Sequence, residues 1–171
     1  MKTEKEINKE LRDFAVSNGL CQEWQDMWEE DWNYEKMIEM FWNGIDFFLA
    51  KRFVDNDYIN NNFDKDFLRD NGIIVDDKYS LLNPKNAIII GDSTSVVRVN
   101  GYKASTIYAL DNCHLKVTSK NRSFVIVHVL GKAKVDTSKY DLSRLVVILH
   151  SREATVTGNA IVREEYDYLK K

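Results

Sequence analysis

The chain holds only two cysteines, Cys21 and Cys113, and neither belongs to a CxxC pair. That excludes a disulfide framework and suggests a reducing compartment. Long apolar runs are also missing, since no stretch approaches the roughly 20 residues that a membrane helix needs. The opening segment MKTEKEINKELRD is charged and helical in pattern. No signal peptide is therefore expected, and the protein should be cytoplasmic with no membrane partner. The three histidines, His114, His128 and His150, lack zinc spacing, so no metal and no cofactor is expected. Proline occurs once, at Pro84 in LLNPKN. It fixes the backbone and discourages helix before it, which makes it the best candidate for a domain boundary.

What the chain does have is a repeat. Seven consecutive blocks of ten begin at Ser93: STSVVRVNGY, KASTIYALDN, CHLKVTSKNR, SFVIVHVLGK, AKVDTSKYDL, SRLVVILHSR and EATVTGNAIV. Their fifth column is β-branched throughout, running Val97, Ile107, Val117, Val127, Thr137, Val147, Thr157. Their ninth column is a turn former in every block but the last. A β-branched centre followed by a turn signal marks a short strand and a corner, and fixed-period self-similarity marks a repeat architecture.

Ten residues are too few to enclose side chains, but two blocks make a coil of twenty. Residue i then stacks on i+20, so that Val97, Val117 and Thr137 share one inner column and Ile107, Val127 and Val147 another. Lys116 and Asp136 become outward neighbours, an opposite-charge pair. The expected fold class is α+β, with an N-terminal helical region capping a C-terminal β-solenoid. An antiparallel meander or sandwich remains the alternative, because strands spaced 8–12 residues apart with turn signals describe it too.

Residues 1–82 read as the helical region, 83–163 as the β-repeat and 164–171 as a polar tail. Thr3 and Glu6 have capping-box spacing, with Ile7, Leu11, Phe14 and Ala15 on one helical face behind them. Trp24, Trp28 and Trp32 recur every four residues and would share a face. The strongest apolar stripe, Tyr34, Ile38, Phe41, Ile45 and Phe48, predicts one helix over 33–52. A weaker helical segment passes through Tyr58-Ile59 and Phe67-Leu68 before Asn71-Gly72.

The combination of NGLCQEW, NGIDFF, NPKNAIIIGDS and degenerate V-x-V repeats resembles a group of small uncharacterised bacterial and phage-associated proteins. That resemblance implies a helical N-terminal region paired with a short-repeat β-solenoid. It carries no activity to any residue of this chain.

Catalytic patterns are sparse. Ile88–Ser95 resembles the first block of GDS-type serine hydrolases, and Asp111 to His114 echoes their last block. Only about twenty residues of β-repeat separate the two, and no middle blocks supply an oxyanion hole. A turn after a strand is the plainer reading. Charge is more telling, since residues 1–82 carry 10 Lys+Arg against 19 Asp+Glu and residues 83–171 carry 14 against 8. Such asymmetry marks an interaction surface or a contact between the two halves. The expectation is a non-catalytic binding or scaffold protein that works through protein–protein contact, with a homodimer among its possible forms. Nucleic-acid binding by the basic repeat, or polyanion mimicry by the acidic region, is the alternative. The candidate interaction residues are Trp24, Trp28, Trp32 and Trp42 in the helical region and Lys116, Lys120 and Arg122 in the repeat.

Overall fold

Every strand from Ile73 onward pairs in parallel in the computed structural model, which describes residues 2–167. The chain divides between Phe63 and Asp64 into two compact units.

The first unit is helical. Helix α1 (Glu4–Ser17) starts with the expected capping box: the Glu6 amide donates to Thr3 Oγ1 at 3.3 Å and the Thr3 amide donates to Glu6 Oε2 at 2.7 Å. Ile7 from this helix is buried with Trp32, Met37 and Met40, and Leu11, Trp24, Trp28, Tyr34 and Phe63 pack around them. The buried Asn8 is satisfied, because its amide donates to the Glu29 carbonyl and its Oδ1 accepts from Trp28 Nε1 at 2.7 Å. Helix α2 (Gln22–Met27) is short; Trp28 closes it, and Trp32 lies beyond it, stacked on Trp28 at 4.7 Å.

The single helix expected over 33–52 is two helices, α3 (Tyr34–Asn43) and α4 (Ile45–Lys51), broken at Gly44. A Cβ at Gly44 would stand 3.3 Å from both the Met40 carbonyl oxygen and the Trp24 ring. Glycine at the break therefore leaves room for the tryptophan. Helix α5 (Asn56–Asn62), capped by Asp55, completes the unit. Its Tyr58 hydroxyl donates to Glu10 at 2.7 Å.

The second unit opens with helix α6 (Lys65–Asp70), which packs on strand β1 (Ile73–Val75). Arg69 on α6 forks onto Asp77, with Nε donating at 2.8 Å and Nη2 at 3.1 Å, and these bonds hold the Asp77 carboxyl below its usual range. The remaining strands are β2 (Lys78–Leu82), β3 (Asn86–Ile90), β4 (Thr94–Asn100), β5 (Ala104–Ala109), β6 (His114–Lys120), β7 (Phe124–Val129), β8 (Lys134–Lys139), β9 (Arg144–Leu149), β10 (Thr155–Gly158) and β11 (Ile161–Glu164). Odd-numbered strands form one sheet in chain order and even-numbered strands the other. This is a parallel β-solenoid with two strands per coil, and the parallel pairing excludes the antiparallel meander.

The register is the i+20 stack. Val97 pairs with Val117 and Val117 with Thr137, while Ile107 pairs with Val127 and Val127 with Val147. These side chains face the interior and merge into one apolar core shared by both sheets. Lys116 lies opposite Asp136 on the outer face, as expected from the two-residue period of strands.

The ends depart from the repeat. In the first coil Ile73 stacks on Ile88 and Lys78 on Thr94, so two strands precede the 83 boundary that Pro84 suggested, and Pro84 occupies a corner between β2 and β3. In the last coil Thr157 does not continue the inner column: it lies opposite Asp136, and Gly158 lies opposite Thr137. One additional residue in the preceding corner shifts that strand by one place. Of the 164–171 tail, Glu164 ends β11, the Glu165 amide donates to the Leu149 carbonyl, and residues 168–171 lie outside the described residues.

Candidate functional site

A two-strand coil has two corners, and stacking turns each into a row. One row joins the ends of β2, β4, β6 and β8 to the starts of β3, β5, β7 and β9. Its backbone turns through left-handed residues, with φ of 51° at Asn83, 77° at Gly101, 51° at Asn121 and 56° at Asp141. Asparagines lace the coils together: the Asn100 amide donates to Asn83 Oδ1 at 2.7 Å, and Asn121 Nδ2 donates to Asn100 Oδ1 at 2.7 Å. Asn and Asp tolerate this conformation because their short polar side chains bond locally.

Arg122 also sits there, at φ 63°. Among the described residues of the second unit it is the one positive-φ residue that is not Gly, Asn or Asp. That backbone disfavours a long side chain.

The row's side chains alternate cations with large exposed apolar groups. Arg122 lies 5.7 Å from the Tyr102 ring centroid, and its Nη1 donates to the Tyr102 hydroxyl at 3.0 Å. Lys120 Nζ lies 4.8 Å from the Tyr140 ring, and the Arg144 guanidinium 5.9 Å from Phe124. Lys85, Lys103 and Lys139 belong to the same corners, and Asp141 is the row's one acidic residue. Tyr102 is 81% exposed, Leu142 73% and Leu82 72%. Apart from Ile161 and Val162 in the last strand, every large exposed apolar residue described in the solenoid lies in this row. The clustering sets them apart from scattered exposed apolar residues, which would need no explanation.

The opposite row has a different chemistry. Its corners carry Asp76, Asp77, Asp92, Asp111 and Glu153 against Lys132 and Arg152, with the His150 ring among them and the Arg152 guanidinium 5.0 Å from the Tyr166 ring. Its carboxylates serve the turns: the Asp92 amide donates to Asp76 Oδ1 at 2.8 Å, and the Gly91 amide to Asp111 Oδ2 at 3.1 Å. Ser93 is buried here, donating its hydroxyl to the Ile90 carbonyl at 2.6 Å and accepting from the Asp77 amide. Cys113 is buried too, and that burial pushes its thiol up to about 12.

The residues singled out in the sequence therefore separate. Lys120 and Arg122 meet in the basic row. Lys116 stands on the outer face of the even-numbered sheet, opposite Asp136. Asp136 accepts from Thr157 Oγ1 at 2.6 Å and from His114 Nε2 at 2.8 Å, and these bonds hold its carboxyl below the usual range. His114 thus pairs with Asp136 rather than Asp111. Trp24, Trp28 and Trp32 gather around Ile7, and Trp42, half-buried, packs edge-on against Phe41 at 5.1 Å.

Two of the three histidines come together. His128 Nδ1 and His150 Nε2 are 2.9 Å apart, with centroids 5.2 Å apart and planes 6° from parallel. The nitrogen contact takes up all of that separation except the two ring radii, so the rings meet edge to edge in one plane. His150 Nδ1 must donate to the Glu165 carbonyl at 2.9 Å, which leaves its Nε2 to accept from His128 when His150 is neutral. Register alone hides this pair, because Ile148, not His150, stacks on His128.

Among the described residues no group of three or more His, Cys, Asp or Glu side chains could hold a metal ion, and no helix is long and apolar enough to cross a membrane. The fold is that of a short parallel β-solenoid preceded by a helical region. The chain matches no family model, no curated protein and no solved structure.

Proposed function

We propose that this protein is a non-catalytic binding scaffold whose solenoid presents the basic, aromatic corner row to an acidic partner protein. The observation that carries this reading is the gathering of Tyr102, Arg122, Phe124, Tyr140, Leu142 and Arg144 into one exposed row. Tyrosine and arginine are the residue types that anchor protein interfaces, and exposed leucines suit a protein surface better than a phosphate backbone. The stacked sheets hold the row rigid, so little order has to be gained on binding.

Fluorescence anisotropy tests the reading with two labelled probes, an acidic Glu/Leu/Ala peptide and an oligothymidine of similar length. Peptide binding that weakens with salt and is lost in the pair Tyr102→Ala/Arg122→Ala supports it. Binding of the oligonucleotide alone would assign the row to nucleic acid, and no binding of either probe would remove its functional role.

Self-association is a second reading, favoured by the last coil. Its strand β11 is exposed along its length, including Ile161 and Val162. Light scattering should then show a dimer that Val162→Lys dissociates; a monomer at high micromolar concentration would end this reading.

A further inference from the structure

We infer that two copies of this chain join through their last coils, face to face about a two-fold axis, with β11 pairing antiparallel to its counterpart; this rests on the self-association proposed above. The two ends of the solenoid differ. At the first end β1 is buried at all three residues, and α6 packs on it. At the last end the sheets stop at β10 and β11, and no strand among the described residues pairs with their outer edges.

The core is open there. Val162 pairs with Val147, so it continues the inner column of Ile107, Val127 and Val147. Those three are fully buried, whereas Val162 is 47% exposed. Val156 continues the column of Leu115 and Val135, both buried, and is itself only half-buried. The backbone is open as well. The Glu165 amide donates to the Leu149 carbonyl, and successive residues of a strand turn their polar groups to alternate sides. Glu165 and Arg163 thus face β9, while Val162 and Glu164 turn N–H and C=O to the open edge. On β10 the Thr155 amide donates to the Ala133 carbonyl, which leaves Val156 facing outward in the same way.

An edge of this kind is a template for another chain, and its geometry selects which one. The two edges lie about 10 Å apart, the spacing of packed sheets. They run in opposite directions, because the chain reverses at each corner. A single added strand satisfies one edge and leaves the other, with the core between them, uncovered. A second last coil satisfies both and lays Val156 and Val162 on an identical apolar patch. Stacking head to tail would need the β1 end, which α6 occupies. The contact therefore closes at two copies. A two-fold axis reverses strand direction, so the seam is antiparallel although every pair within the chain is parallel.

Opposed residues share a sheet face, so the axis passes through a residue of β11. Through Arg163 or Glu164 it would set like charges opposite each other, which is destabilising. Through Ile161 it would run half of β11 past the end of its counterpart. Through Val162 it sets valine against valine and Ile161 against Arg163. The two Val162 residues then exchange both backbone hydrogen bonds, with Cα atoms about 5.5 Å apart.

The test is a cross-link in a Cys21→Ser background, where the buried Cys113 is the remaining native thiol. Val162→Cys should form a covalent dimer on air oxidation, since a Cα separation of about 5.5 Å suits a disulfide. Ile161→Cys should cross-link about tenfold more slowly, because its counterpart lies two residues further along the strand, beyond the roughly 7 Å limit. Light scattering of the unaltered chain should give a mass that levels off at two copies. A mass that keeps growing with concentration would overturn the closed contact in favour of open stacking. A dimer in which Val162→Cys cross-links no faster than Ile161→Cys would overturn the Val162 seam and leave self-association standing. A monomer at high micromolar concentration would overturn both, with thermal melts confirming that the variants remain folded.

Discussion

The two corner rows are built on the same backbone device and carry opposite chemistries. Both turn through left-handed residues, at Asn121 and Arg122 on one side and at Asp111 and Gly131 on the other. Both set small buried side chains just after the turn, Ser123 and Ser143 in one row and Ser93, Cys113 and Ala133 in the other. Serine serves both rows in the same way, since Ser143 Oγ donates to the Tyr140 carbonyl at 2.6 Å as Ser93 does to that of Ile90. Yet one row projects cations and rings while the other folds its carboxylates back onto turn amides. The demands of the turn are met equally in both, so turn geometry does not explain the exposed rings and cations of the basic row.

The largest effect comes from removing the frame both rows share. Val127 is fully buried between them, and Val127→Asp places an unpaired charge in a core with no charged partner. A loss of several kcal/mol is expected, on the order of 3 or more, seen as loss of the cooperative thermal transition.

Next comes the acidic row. A Cβ at Gly131 would stand 2.9 Å from the Asp111 amide nitrogen, and φ there is +62°. Gly131→Ala should cost roughly 1–3 kcal/mol in denaturant unfolding, because both the backbone and the coil below resist it. An unchanged midpoint would show that the corner is softer than its stacking implies.

Arg122→Gly should move the other way. The left-handed backbone costs an L-residue about 1–2 kcal/mol, and glycine removes that cost while adding its own entropy, for a net gain of about 1 kcal/mol or less. A variant that is more stable yet no longer binds the acidic probe would separate stability from binding at a single residue. Lys132→Ala, at the matching corner of the other row, should change stability by about half a kcal/mol or less and leave probe binding intact. If it weakens binding as Arg122→Ala does, the contrast between the rows collapses.

The smallest effect is a matter of pH. Asp136 has its carboxyl depressed by Thr157 and His114, so its contribution is present above the unfolded carboxylate value. That contribution fades as pH falls through the folded value, and Asp136→Asn should flatten that part of the acid limb in a melting-temperature profile.

The inner columns were legible from the sequence because a stacked strand demands the same thing of every coil. Val97, Val117 and Thr137 must all be compact and β-branched to fill one narrow core. The basic, aromatic row was obscured by reading the blocks one at a time. The tenth column of the first six blocks runs Tyr102, Asn112, Arg122, Lys132, Leu142 and Arg152, which looks mixed. Taken alternately, it resolves into Tyr102, Arg122 and Leu142 on one side and Asn112, Lys132 and Arg152 on the other. The coil of twenty, not the block of ten, is the unit on which surface chemistry is written. Gly44 was missed for a different reason: the apolar stripe continues across it, and only the approach of Trp24 reveals that the helix breaks there. The meeting of His128 with His150 depends on a residue past the end of β9, where register no longer governs position.

The strict spacing of twenty gives the ridge the property of a ruler. Inserting twenty residues at a corner lengthens the stack by one graduation and leaves the facing of every other residue unchanged. Inserting one residue inside a strand turns its core columns outward, and inserting one in a corner shifts the coil that follows, as the last coil shows at Gly158. Length can therefore be added or removed in whole graduations, and the reach of the surface set by copying alone.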